Sequence, residues 1–305
     1  MNPFRLGTRG SRLALWQANY VADRLQPLAA PRVVELVEIV TAGDQVRDVP
    51  LPALGGEGVF TKEIQRALLA GEVDVAVHSL KDLPTVPVEG LLLAAVPPRG
   101  PVGDVLVSHR HRTFDGLPRG AIVATGSLRR RAQALYRRPD LRLVHIRGNV
   151  ETRLRKLQEQ DLDALILAEA GLERLGLGHA VTEVLDRSWM LPAVGQGALG
   201  LECRQDDRVA LDLLAEVDDV STRQAVLAER ELLRSLGGGC QVPIGADSVI
   251  AGETLHLRGT VLTPDGTRRT EAAEAGPLAD AEAVGRRLAQ ELLRRGAADI
   301  LGIRH

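Results

Sequence analysis

Val73-Asp-Val-Ala-Val-His-Ser-Leu-Lys-Asp-Leu-Pro84 is the stretch that decides the fold class. Its first half is a short apolar run of β-branched residues, which reads as a buried strand. Its second half turns polar at once, and Pro84 stiffens the exit. A charged turn at the carboxyl end of a buried strand is the usual place for a ligand in an α/β sheet. Lys81 and Asp82 are adjacent there. A carboxylate so placed can accept or donate a proton, or stabilise a cation. A solvated surface loop is the plainer alternative.

Working outward, residues 1 to 97 alternate strand and helix. Phe4–Thr8, Val33–Val40, Val73–His78 and Leu91–Val96 read as strands, and Ser11–Leu25 and Glu57–Ala70 as helices. Such alternation predicts an α/β layer with mainly parallel strands. Pro97-Pro-Arg-Gly-Pro101 predicts a hinge. The pattern then repeats, with strands at Asp104–Ser108, Ala121–Thr125, Leu141–Ile146 and Asp163–Ala168, and helices at Ser127–Arg138 and Val150–Gln160. Residues 191–197 predict a second flexible crossing. Beyond about residue 218 the character changes: an amphipathic helix over Thr222–Leu236, three antiparallel strands with a Thr263-Pro-Asp-Gly266 hairpin turn, and a closing helix over Pro277–Arg295. The expected architecture is two periplasmic-binding-protein-like α/β lobes around a cleft, plus a small C-terminal α+β domain. The expected boundaries are 1–97 with 198–217, 98–197, and 218–305.

Composition narrows the function classes. The chain has 305 residues, 45% hydrophobic and 26% charged, which is the profile of a soluble globular protein. No apolar run approaches membrane-spanning length, and no signal segment is visible, so a cytoplasmic protein without a disulfide framework is expected. Lys62, Lys81 and Lys156 are the lysines; the remaining cations are arginines, a bias that genomic base composition explains first. Arginine nonetheless offers a flat fork suited to carboxylates. Aromatics make up only 2%, which argues against recognition of nucleic acid by stacked bases.

Further strand-to-helix passages repeat the pattern of the first. Thr125-Gly-Ser-Leu-Arg-Arg-Arg131 follows a strand, and Ser127 is a natural N-cap whose helix start offers free N–H groups beside Arg129 and Arg130. In Ile146-Arg-Gly-Asn-Val-Glu-Thr-Arg153, Arg147 and Arg153 flank another turn. Thr8-Arg-Gly-Ser11 places Arg9 and Ser11 at a fourth, and Arg174 lies in a fifth. Arginines at so many junctions point to a site for several carboxylates. Cys240 sits in Ser235-Leu-Gly-Gly-Gly-Cys-Gln-Val-Pro-Ile-Gly245, where the glycines leave room around the sulfur. From this run alone it is either a small buried hydrophobe or a functional thiol. Cys203 has no such setting and reads as core. His109 and His111 lack partners at metal-ligand spacing, so no metal site is expected.

Taken together and in order, these segments resemble the porphobilinogen deaminase family. The runs that carry the resemblance are Thr8-Arg-Gly-Ser11 with Leu15-Trp-Gln17, Val77-His-Ser-Leu-Lys-Asp82, Gly126-Ser-Leu-Arg-Arg130, Arg147-Gly-Asn-Val150, Ala170-Gly-Leu172, Val194-Gly-Gln-Gly197 and Gly238-Gly-Cys-Gln-Val-Pro-Ile-Gly245. The resemblance implies an enzyme that joins four porphobilinogen molecules head to tail, loses ammonia at each step, and releases hydroxymethylbilane. It implies a dipyrromethane cofactor bound by a thioether to Cys240, and Asp82 as the catalytic carboxylate. It implies cofactor contacts from Ser79, Lys81, Asp82, Thr125, Ser127, Arg129, Arg130, Arg147 and Gly148. Substrate contacts would come from Arg9, Ser11, Phe60, Arg147, Arg153, Arg174 and Gln196. The implied partner is the small molecule porphobilinogen alone, with no nucleic acid and no membrane, acting on a monomer. Two positions depart from many relatives: Glu57 stands where they carry a lysine beside the Gly-Gly, and Gly126 where they carry serine. Two other readings compete: a non-catalytic bilobed binder of an anion, and an acyl- or thiol-transfer enzyme using Cys240. Neither accounts for the whole set of segments.

Overall fold

A computed structural model of the chain describes residues 2–45, 58–237 and 242–302. In chain order its elements are β1 (Phe4–Thr8), α1 (Arg12–Ala29), β2 (Val34–Glu38), α2 (Ala42–Gln45), α3 (Lys62–Leu69), β3 (Val75–Ser79), β4 (Leu91–Ala95), β5 (Asp104–Val107) and β6 (Ile122–Ala124). There follow α4 (Leu128–Arg137), β7 (Arg142–Val144), α5 (Val150–Glu159), β8 (Ala164–Ala168), α6 (Glu169–Arg174), β9 (Glu183–Val184), β10 (Leu199–Arg204) and α7 (Arg208–Ala215). The last are α8 (Val220–Ser235), β11 (Ile244–Ala251), β12 (Thr254–Leu262), β13 (Arg269–Pro277), α9 (Ala281–Leu292) and α10 (Ala298–Leu301). The chain divides into two compact units, residues 1–100 with 197–223, and 101–196 with 224–305.

The first unit is built on a five-stranded sheet in the order β2-β1-β3-β10-β4. Strand alternation explains how it is covered. Val75 and Val77 point to one face and pack with Phe4, Leu6, Leu199 and Leu201 against Ala18, Val21 and Leu25 of α1. Ala76 points to the other and meets Ile64 and Leu68 of α3. The β1–β2 and β1–β3 pairs are parallel, as the alternation predicts. The sheet is mixed, however, because β10 returns antiparallel between β3 and β4. The carboxyl ends of β1 and β3 therefore share an edge with the amino end of β10.

In the second unit a five-stranded sheet runs β7-β6-β8-β5-β9. Here β6 is parallel to β7 and β8, while β5 is antiparallel to β8. Leu106, Val123 and Ile166 bury one face with Ala134 of α4. Val105, Leu165 and Leu167 bury the other with Leu157 of α5 and Leu172 of α6. The same unit holds the antiparallel sheet β11-β12-β13, whose inner face, with Leu255, Leu257 and Val261, packs on Leu232 of α8 and on Val284, Leu288 and Leu292 of α9. The closing helix stays helical to its expected end at Arg295: α9 passes into a wider turn over Leu293–Ala297 that kinks at Gly296, φ 95°, before α10.

At the hairpin between β12 and β13 the chain comes flush against α4. Gly266 has φ 72°, and a Cβ there would lie 2.6 Å from the Ala132 carbonyl oxygen and 2.7 Å from the Tyr136 nitrogen. Positive φ and helix backbone both demand glycine. Gly266→Val is expected to destabilise the protein by about 2 kcal/mol or more, read as a lowered denaturant midpoint; an unchanged midpoint refutes the close approach.

Candidate functional site

In the first unit the candidate residues gather at one sheet edge. β3 ends at Ser79 and passes into a tight turn, Leu80–Asp82, closed by Leu83 N donating to Leu80 O at 3.2 Å. Two features seat this turn on β10. Leu80 N donates to Ala198 O at 3.0 Å, and the Leu80 side chain is buried. Gly200 makes the space: a Cβ there would stand 2.7 Å from Leu80 Cδ1 and 3.7 Å from Leu83 Cδ2. Lys81 and Asp82 stay half-buried on the turn. Ser79 is held from α1, its Oγ receiving the Gln17 amide nitrogen at 2.8 Å. Beneath, His78 Nε2 stands 2.9 Å from Glu202 Oε2, off line for a hydrogen bond, and Gln65 Nε2 donates to the same carboxylate at 3.0 Å.

Arg9 and Phe60 are brought together on this unit, the guanidinium carbon lying 4.2 Å from the ring centroid. This contact covers the face of the fork and is worth about 0.5–2 kcal/mol. Ser11 caps α1, its Oγ accepting from Ala14 N at 3.3 Å.

In the second unit the carboxyl ends of β6, β7 and β8 and the amino end of β5 share an edge. Thr125 is buried there, and its Oγ1 accepts from Ser127 N at 3.3 Å. Ser127 caps α4, as its position predicts, by accepting from Arg130 N at 3.4 Å. Gly126 lies against the next turn: a Cβ on it would come within 2.8 Å of the Ile146 carbonyl oxygen. That contact sets the Thr125–Ser127 turn beside Arg147 and Gly148. Arg153 Nε donates to the Gly148 carbonyl at 2.8 Å, and Lys156 Nζ to the Arg147 carbonyl at 3.1 Å. Arg174 lies in the last turn of α6, the helix that follows β8.

The centre of the second edge is a carboxylate that the sequence reading does not single out. Asp104, the first residue of β5, is wholly buried and receives Arg129 Nη1 at 2.6 Å, Arg130 Nε at 2.9 Å and Gln196 Nε2 at 2.8 Å. Gln196 also donates to the carbonyls of Val102 and Gly103, and its Oε1 accepts from both arginines. Arg129 and Arg130, expected at the cofactor, and Gln196, expected at the substrate, thus meet on one buried carboxylate. Arg129 and Arg130 are buried, their donors are committed mostly to Asp104, Gln196 and backbone, and the Gln196 amide is engaged within the protein. The physical reason is that a buried guanidinium needs a counter-charge and filled donors. Two cations on one carboxylate still leave a positive excess. Burial and the neighbouring Arg130 draw the Arg129 pKa down, against the pull of Asp104.

Burial alone raises the Asp104 pKa, but the charges of Arg129 and Arg130 and the hydrogen bonds from Arg129 and Gln196 outweigh it and hold it at about 2. Its unfolded value is near 3.8. The folded value being the lower, Asp104 stabilises the fold above the unfolded pKa, and the contribution is lost as pH falls through the folded one. About 2 kcal/mol is expected to disappear between pH 4 and pH 2. Denaturant unfolding across that window measures it, and Asp104→Asn should flatten that part of the curve.

Among the described residues two buried guanidinium atoms have no acceptor: Arg129 Nε and Arg147 Nη1. Both belong to the second edge, and both suit an incoming carboxylate. Among the described residues no group of three His, Cys, Asp or Glu side chains is placed to hold a metal ion, and no helix is long and apolar enough to cross a membrane. Cys203 is buried on β10, and burial together with Asp207 pushes its thiol up to about 11. Cys240 and the loop from Val49 to Glu57 lie outside the described residues.

Comparison with known proteins bears on this geometry. Residues 4–212 match the family described as porphobilinogen deaminase, dipyromethane cofactor binding domain, and residues 223–294 match porphobilinogen deaminase, C-terminal domain. The porphobilinogen deaminase of Syntrophotalea carbinolica is 52% identical over 97% of this chain and 94% of its own length. That of Pelotomaculum thermopropionicum is 50% identical, covering 97% of this chain and 95% of that protein. The Geobacter sulfurreducens protein of that name is 50% identical over 99% and 94%. Among solved structures, the methionine binding protein MetQ covers 70% of this chain and 89% of its own at 13% identity and a TM-score of 0.47. A periplasmic substrate-binding protein from Coxiella burnetii covers 73% and 96% at 14% identity and a TM-score of 0.45. On its matched domains and its half-identical relatives over nearly the whole length, the chain belongs to the porphobilinogen deaminase family.

Proposed function

We infer that this chain joins four porphobilinogen molecules head to tail on a dipyrromethane primer and releases hydroxymethylbilane by hydrolysis. The observation that carries the reading is the pair of buried, acceptor-less guanidinium atoms, Arg129 Nε and Arg147 Nη1, within the domain that matches a dipyrromethane cofactor binding domain. A dipyrromethane made from porphobilinogen carries acetate and propionate groups, and charge-assisted hydrogen bonds to such donors are strong. The residues present therefore fit the group. In this reading Arg129, Arg130, Arg147 and Gly148 hold it with Thr125, Ser127, Ser79, Lys81 and Asp82, and Cys240 bonds it covalently. When bound, the dipyrromethane supplies the electron-rich pyrrole carbon from which the product grows.

At each addition the aminomethyl carbon–nitrogen bond of porphobilinogen breaks and ammonia leaves, a carbon–carbon bond forms, and one ring proton departs. Positive charge develops on the pyrrole during that exchange. Asp82, fixed on its turn by Leu80 and Gly200, is the group assigned to stabilise that charge and to move the proton. Arg9, Ser11, Arg147, Arg153 and Arg174 are assigned to the substrate carboxylates, with Phe60 steadying Arg9. The same reading makes the protein a cytoplasmic monomer of three domains, the third beginning near residue 218.

The test is stoichiometric. Purified protein given porphobilinogen should release one ammonia per porphobilinogen consumed and yield a linear tetrapyrrole. Binding without ammonia release would instead favour a non-catalytic receptor for the anion.

A further inference from the structure

We propose that His145 is a further contact for a substrate carboxylate at the second edge, one that takes up a proton from solvent as the carboxylate binds. The proposal rests on the reading above, in which Arg147 and Arg153 hold the arms of porphobilinogen. His145 is the first residue beyond β7, so it stands at the carboxyl end of that strand, as Thr125 does at the end of the neighbouring β6. Its side chain lies against the Thr125–Ser127 turn: a Cβ on Gly126 would be 4.0 Å from His145 Cε1 and 2.8 Å from the Ile146 carbonyl oxygen. The imidazole thus borders the line where that turn meets the Arg147–Gly148 turn, and it is exposed there. Two residues on, Arg147 holds a buried Nη1 that has no acceptor.

The surroundings are mainly cationic. α4 and α5 begin at these two turns, capped by Ser127 and Asn149, and bring their positive ends with them. On α5, Arg153 Nε donates to the Gly148 carbonyl and Lys156 Nζ to the Arg147 carbonyl, and Glu151 is the acidic residue of the first turn. On α4, Arg131 Nη1 donates to Leu143 O at 3.1 Å, while Arg129 and Arg130 are bonded to Asp104. Water lost on the Gly126 side, and then the charges of Arg147 and Arg153, hold the His145 pKa below its ordinary 6.5. Without a carboxylate nearby the imidazole is therefore neutral at neutral pH. An arriving carboxylate reverses the balance, because an opposite charge favours the protonated ring. The pKa is then higher in the complex than in the free protein. By linkage, the added affinity is complete below the free value and fades as pH rises through the bound one.

A pyrrole with one acetate and one propionate arm but no aminomethyl group cannot lose ammonia, and it serves as the probe. Its binding to the protein is followed by calorimetry from about pH 5.5 to about pH 7.5, in buffers of different ionisation enthalpy. His145→Gln removes the titrating group, and His145→Arg makes the charge permanent. Both change an exposed side chain, so the fold should be kept. Relative to His145→Gln, wild type should gain roughly fivefold in affinity from the upper pH to the lower, with net proton uptake on binding. His145→Arg should hold the tighter binding across the range and take up no such proton. Uptake and pH dependence that are the same in wild type and His145→Gln overturn the proposal, as does an analogue that fails to bind. Wild type that binds the analogue yet releases no ammonia from porphobilinogen would instead sink the reading of function, a result read on wild type alone.

Discussion

Asp82→Asn is expected to yield a folded protein whose turnover of porphobilinogen falls by about 10²–10⁴-fold or more. Asparagine matches the carboxylate in shape, and the turn is held by Leu80, Leu83 and the Ala198 carbonyl rather than by the Asp82 side chain. The fold therefore should survive, with an unchanged denaturant midpoint. The chemistry should not, because an amide neither balances a developing cation nor exchanges a proton. Steady-state ammonia release against the wild type measures the effect. Turnover within a few-fold of wild type would remove Asp82 from the mechanism. Gly200→Ala offers a graded companion: its methyl displaces Leu80 from below and should slow turnover while leaving every polar group in place.

Cys240→Ser carries the second large effect. It is expected to abolish the covalent adduct and with it essentially all product formation. The chain has two cysteines, and the other gives a clean background: Cys203 is buried in β10 with its thiol pushed up to about 11, so it is almost entirely protonated at neutral pH. In native protein a thiol reagent should thus leave Cys203 alone. Wild-type protein should show the mass of two pyrrole units and no fast-reacting thiol. Protein lacking the adduct should gain one reactive thiol, mapping to Cys240. An unmodified and fully active wild type would reject the thioether altogether.

Much of the framework was legible because it depends on local pattern. The apolar runs at Phe4–Thr8, Val73–His78 and Asp163–Ala168 became β1, β3 and β8 within a residue or two, since alternation and β-branching act over a few residues. Ser11 and Ser127 cap their helices as their positions suggest. β10 was hidden because Leu199-Gly-Leu-Glu-Cys-Arg204 contains a glycine and a glutamate, poor signs for a central strand. Both have long-range reasons: Gly200 makes way for Leu80, and Glu202 meets His78 and Gln65. Asp104 was missed for a related reason. Its partners Arg130 and Gln196 lie 26 and 92 residues away, and no local pattern announces a buried carboxylate. The one available sign was an acidic residue opening the apolar run Asp104-Val-Leu-Val107.

The return of β10 between β3 and β4 has a consequence for synthesis. The chain emerges from its amino end, so Asp82 is made long before Gly200. At about 5–20 residues per second, roughly 5–25 seconds separate the strands on either side from the one that joins them. Through that interval β3 and β4 each present an unsatisfied edge, and the Asp82 turn has nothing beneath it. A nascent chain halted before Leu199 carries the whole Asp82 turn yet lacks the strand that seats it.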